Sequence, residues 1–115
     1  MPHITLEYTA NIVEESFKEL LLEIHAILSK NLPTDINNCK SRIIKHNSYL
    51  VSDGSPTCAF INIIIDVLPG RKEDLLRSIA LKIKLLVKER LRGSNFGLDL
   101  QFSISVKNLP DIYYK

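Results

Sequence analysis

Apolar and polar residues alternate at the start of the chain. Over residues 3–8, Ile4, Leu6 and Tyr8 fall on one side and His3, Thr5 and Glu7 on the other, which predicts a strand. The period then lengthens. Phe17, Leu20, Leu21, Ile24, Ile27 and Leu28 recur at helical spacing and form one apolar stripe. Asn11 is the expected cap of this helix, with Glu14 and Glu15 in its first turn. The helix should end near Lys30 or Asn31, because Pro33 disfavours helical geometry in the residue before it.

The same sequence of patterns then repeats. Residues 40–51 read as extended, and "SDGSP" (52–56) as a turn. "CAFINIIIDV" reads as a third strand, ended by "LPGR". Leu75, Leu76, Ile79, Ile83, Leu86, Val87 and Leu91 mark a second amphipathic helix, and "RGSNFG" breaks it. Leu98, Leu100, Phe102, Ile104 and Val106 alternate with Asp99, Gln101, Ser103, Ser105 and Lys107 as a fourth strand. The tail "LPDIYYK" shows no period.

The order is β-α-β followed by β-α-β. An overlay at an offset of 57 places Leu6 on Ile63, Glu14 on Arg71, Leu28 on Leu85 and Ile43 on Leu100. The halves, about 2–51 and 57–107, read as a pseudo-repeat within a single domain spanning 1–115. Each helix would join two parallel strands by a right-handed crossover. The expected fold is α+β: two βαβ repeats forming a four-stranded mixed sheet with two helices on one face. The third strand is apolar on both sides, at Ala59, Ile61, Ile63 and Ile65 and also at Phe60 and Ile64. Strands apolar on both faces are normally covered on both. Two helices cover only one face, so a second subunit is expected on the other.

Composition narrows the function classes. A formal net charge of +2 over 115 residues, with no basic run longer than two, is too mild to argue nucleic-acid binding, and no nucleic-acid partner is expected. The longest apolar run, 59–65, is too short to span a membrane and contains Asn62. No basic-then-apolar leader is visible at the start. Cys39 and Cys58 are too few for a disulfide framework or a metal site, and buried free thiols in a reducing cytoplasm are expected. His3, His25 and His46 have no metal-ligand spacing, so no metal is expected.

A proline directly behind the initiator Met, two βαβ halves and a sheet in need of a partner together resemble the tautomerase superfamily. The landmarks "MPHITLEYTAN", "KSRI", the "DG" turn before "AF", and "GR" in "LPGRKEDL" resemble the 5-carboxymethyl-2-hydroxymuconate isomerase family, in order, over roughly residues 2–75. The resemblance implies a MIF-like fold, a cytoplasmic homotrimer and no cofactor. It implies an isomerase that moves a proton in carboxylated 2-hydroxymuconate-type dienols to give unsaturated 2-oxo acids, in aromatic-compound catabolism.

The resemblance also implies that Pro2, freed by removal of Met1, is the general base and acid. A prolyl amine is too basic for that work unless burial and nearby cations lower its pKa. Arg71 matches the family's "GR" arginine. It is expected at the start of the second helix, where a cation opposes the helix dipole and so suggests a task. Arg42 matches one of two arginines that the family has in the "KSRI" stretch, and Lys40 stands in place of the other. Alternation puts Lys40 and Arg42 on one side of the second strand. Lysine keeps the charge there and loses the planar fork that grips a carboxylate. His3 is placed to tune the base, and Phe60, Phe102, Tyr113 and Tyr114 are candidate pocket walls.

Two other readings fit the same pattern. One is a tautomerase-fold protein with another or lost activity. The other is a ferredoxin-like binding module, which shares the β-α-β-β-α-β order; as an RNA binder it would need a platform of aromatics, and "CAFIN" offers only one.

Overall fold

The computed structural model describes residues 1–13, 16–92 and 97–115. The elements run β1 (His3–Thr9), α1 (Phe17–Asn31), a 3₁₀ turn (Ile36–Asn38), β2 (Lys40–His46), β3 (Cys58–Val67), α2 (Glu73–Leu91) and β4 (Asp99–Asn108). The sheet order is β2-β1-β3-β4. β1 and β2 are parallel, β3 and β4 are parallel, and the two pairs meet antiparallel between β1 and β3. This is the expected four-stranded mixed sheet. In a split βαβ module another strand separates the two that a helix connects. Here each helix connects hydrogen-bonded neighbours, which sets aside the ferredoxin-like reading.

The core lies between one sheet face and the helices. Ile4, Leu6, Ile61, Ile63 and Ile65 from the sheet pack with Leu20, Ile24 and Leu28 of α1 and with Ile79, Ile83 and Val87 of α2. All of them are buried. Their spacing is the reason for both helices: each apolar stripe is the face its helix hides. The opposite sheet face carries His3, Thr5 and Glu7 beside Lys40, Arg42 and Ile44 on one side, and beside Ile64 and Asn62 on the other. Within one chain, Phe60 and Ile64 there are half-buried.

Register refines the overlay of the two halves. Leu6 lies directly opposite Ile63 at the antiparallel centre. On the outer ladders Leu6 pairs with Ile43, and Ile63 pairs with Ile104. Ile104, not Leu100, is therefore the counterpart of Ile43. α2 has 19 residues against 15 in α1, and the longer crossover delivers β4 four residues later.

Two further expectations change. Asn11 does not cap α1. Ser16 holds the cap position without a side-chain bond. The Asn11 amide instead donates to the carbonyls of Cys58 (2.8 Å) and Pro56 (3.3 Å), tying the end of β1 to the start of β3. Glu14 and Glu15, and residues 93–96 of "RGSNFG", lie outside the described residues. β2 ends at His46 rather than 51. Its ladder partner β1 stops at Thr9, and the Ala10 N–H to His46 carbonyl bond (2.9 Å) lies at that limit. The "SDGSP" turn forms as expected: Asp53 Oδ1 accepts from the Ser55 N–H (3.0 Å), and Gly54 has a φ of 84°.

Candidate active site

Pro2 is buried. It has the parity of Ile4 and Leu6, which face the helices, and its carbonyl accepts from the Lys40 N–H at 3.1 Å. That bond carries the β1–β2 ladder back to the chain start, so β2 fixes where the proline sits.

Cations surround this point. The pKa of the Met1 α-amino group, next to Pro2, is held below the usual value of 8.0, first by burial and then by Lys115, Arg71 and Lys40; Cys39 opposes the shift. Two of these cations, Arg71 and Lys40, are expected site residues. Lys115 was not expected. It lies in the tail without a period, and no local pattern signals that the tail returns to the chain start.

Arg71 is not in the first turn of the second helix. α2 begins at Glu73 behind the cap residue Lys72. The backbone reverses at Gly70, whose φ of 109° is open mainly to glycine. The reversal turns the Arg71 guanidinium back toward the end of α1. It donates to the carbonyls of Leu68 (3.0 Å) and Leu32 (3.4 Å), and Leu32 is the C-cap of α1. A cation there complements the α1 dipole. The expected dipole penalty at α2 is therefore not the reason for this arginine.

Lys40 and Arg42 lie side by side on the open sheet face and are both exposed. In register, Lys40 is beside His3 and Arg42 beside Thr5. One terminal nitrogen of Arg42 lies 3.2 Å from His3 Nδ1, and His3 Nε2 lies 2.8 Å from the Tyr113 hydroxyl. The His3 and Tyr113 rings meet edge to face, 6.1 Å apart. Burial, Arg42 and then Lys40 lower the His3 pKa, against Asp66. The site is thus two-sided: Pro2 and Arg71 belong to the helix side, and Arg42, Lys40 and His3 to the open side.

The remaining candidates are elsewhere. His25 bonds to Ser41 (2.6 Å) between α1 and β2, and His46 pairs with Glu7 (3.1 Å) on the open face. Phe60 lies against His46, Phe102 packs on the core, and Tyr114 is exposed. Cys58 is buried and Cys39 half-buried, both as free thiols.

The paired βαβ sheet is the tautomerase-like fold, and the similarities to known proteins define the class as an isomerase of the tautomerase superfamily. A crystal structure of a 5-carboxymethyl-2-hydroxymuconate isomerase from Deinococcus radiodurans R1 superposes with a TM-score of 0.90 at 22% identity, over 99% of this chain and 87% of that one. A 5-carboxymethyl-2-hydroxymuconate delta-isomerase gives 0.83 at 14% identity, over 100% and 87%. A fused 4-OT symmetric trimer gives 0.70 at 11% identity, over 94% and 85%. No curated protein matches the chain. The model of the 5-carboxymethyl-2-hydroxymuconate isomerase family matches residues 2–115, and the chain belongs to that family.

Proposed function

We propose that this isomerase acts on 5-carboxymethyl-2-hydroxymuconate and related carboxylated dienols, with Pro2 as the proton carrier. Removal of Met1 would leave Pro2 as a secondary amine. The free amine would take the proton of the 2-hydroxyl. The enol electrons then form the C2 carbonyl, the double bonds shift, and the protonated amine returns a proton to the distant carbon. Arg71, Arg42 and Lys40 would hold the carboxylates and stabilise the charge that develops on the 2-oxygen.

The observation that carries this reading is Pro2, buried beside cations: the same surroundings hold the neighbouring Met1 amine below its usual pKa and would act alike on a freed Pro2 amine. No cofactor is needed for a proton moved within one substrate.

A homotrimer is part of the proposal. The apolar residues Phe60, Ile64 and Ile44 on the face without helices support self-association, as does the similarity to a symmetric trimer. Free thiols at Cys39 and Cys58 support a reducing, cytoplasmic setting. Among the described residues no helix is long and apolar enough to cross a membrane.

The test is a steady-state assay on a panel of 2-hydroxymuconates, with intact mass to establish Met1 removal. Pro2→Ala should lower kcat by about 10²–10⁴, the usual contribution of a positioned acid–base group. Undiminished activity in Pro2→Ala would overturn the mechanism. A wild-type protein without Met1 that isomerises nothing in the panel, and whose amine titrates as in solvent, would support the reading of a lost activity.

A further inference from the structure

His3 stands between two groups of different origin. Arg42 comes from β2, and Tyr113 comes from the segment after β4. A guanidinium only donates. The 3.2 Å contact from Arg42 therefore needs Nδ1 of His3 as acceptor, without a proton. A neutral imidazole then carries its proton on Nε2, where it donates to the Tyr113 hydroxyl at 2.8 Å. The Arg42 contact selects this tautomer, and the Tyr113 hydroxyl, which can donate or accept, accommodates it.

The tail is also held from behind. The Leu109 N–H donates to the Val67 carbonyl at 2.7 Å, which extends the β3–β4 ladder one step and aims the following residues at the chain start.

We infer that His3 is a positioning residue: Tyr113 holds the imidazole in place through Nε2 while Nδ1 holds the Arg42 guanidinium, so the C-terminal segment sets the carboxylate-binding geometry of the site. Resting on the proposed isomerase reading, this assigns a role to the segment that has no sequence period. One terminal nitrogen of Arg42 is engaged by His3, and the planar fork retains further donors for a substrate carboxylate.

The arrangement is sensitive to pH. A protonated His3 has no acceptor for Arg42 and repels it. The groups facing His3 are Arg42 and Lys40 on β2, Asp66 on β3, the amine at the chain start, and Tyr113. Asp66 is itself 3.7 Å from Lys107 of β4. Burial and the cations outweigh Asp66 and favour the neutral ring.

The first experiment is a long-range ¹H–¹⁵N spectrum of the imidazoles in substrate-free protein above neutral pH. The Nε2–H tautomer is expected for His3 in the wild type, with a mixture in Arg42→Leu, where the donor-only partner of Nδ1 is gone. An Nδ1–H tautomer in the wild type would overturn the inference whatever reaction the protein catalyses, because no substrate is involved. The second is kinetic. His3→Leu and Tyr113→Phe should raise KM for a dicarboxylated dienol about fivefold, as expected for one net hydrogen bond, with kcat little changed. His3→Asn, whose amide oxygen replaces Nδ1, should restore KM. In the wild type KM should rise as pH falls through the His3 pKa, and this rise should vanish in His3→Asn. A His3→Asn variant no better than His3→Leu, or a Tyr113→Phe variant with unaltered KM, would also overturn it. Loss of activity in Pro2→Ala bears on the base alone and leaves these outcomes separate.

Discussion

The Arg71 guanidinium donates to the carbonyl of Leu32, the C-cap residue of α1, at 3.4 Å. One side chain thereby joins the turn before α2 to the end of α1 and keeps a positive charge beside the chain start. Arg71→Ala should remove both effects. Stability should fall by about 0.5–1.5 kcal/mol for the lost hydrogen bonding, read from urea midpoints. The amine pKa should rise, because a cation that disfavoured its protonation is gone. At a given acidic pH less free base remains, so the low-pH limb of kcat/KM should move to higher pH. Arg71→Lys should keep most of the pKa effect and lose part of the stability.

Lys40 has a charge but no fork at a position beside His3. Lys40→Arg should lower KM for a substrate with two carboxylates severalfold and leave kcat near the wild-type value, since two parallel hydrogen bonds replace a point charge. Substrates with one carboxylate should respond less. A comparison of KM across the two substrate classes checks this.

Two histidines make stability depend on pH. Burial lowers the pKa of His25, and burial with Arg42 and Lys40 lowers that of His3, in each case from 6.5. Above 6.5 both rings are neutral folded and unfolded, and they contribute no pH dependence. As pH falls through 6.5 the unfolded chain binds protons that the folded chain refuses, so stability declines. The decline should level off below the folded-state values. Urea midpoints across this window should show it, and His25→Asn should flatten part of it.

Asn11 bridges from the end of β1 to the carbonyls of Cys58 and Pro56. Asn11→Ala should cost about 1–3 kcal/mol, because it leaves the carbonyl at the start of β3 without this donor. The loss should appear in thermal unfolding. Helicity of the isolated segment 11–31 should be unaffected, since Asn11 caps no helix in the fold.

How much of this was legible in the chain follows from the range of the forces involved. β3 is legible in full as "CAFINIIIDV", because a short apolar run with a turn at each end is a local signal. The stripes of α1 and α2 were readable for the same reason. The start of α1 was not. Asn11 is a good cap by its chemistry, yet its amide went to carbonyls near residue 58, and only the antiparallel approach of β3 to β1 brings those within reach. The end of β2 is not legible in the chain because a strand stops where its neighbour stops, and β1 is the neighbour.

The candidate site divides in the same way. Pro2, Arg71, Arg42 and Lys40 were named from their places in ordered motifs, and alternation correctly put Lys40 and Arg42 on one side of β2. The sequence by itself determined the elements, the paired βαβ plan and the stock of cations, since each depends on residues near one another in the chain. Tertiary structure alone decided what those cations touch. It turned Arg71 onto the end of α1, set Lys40 and Arg42 on the face opposite the helices, and brought Tyr113 to His3 across 110 positions of sequence. A side-chain hydrogen bond reaches about 3 Å, and only the folded sheet reduces so long a separation to that distance.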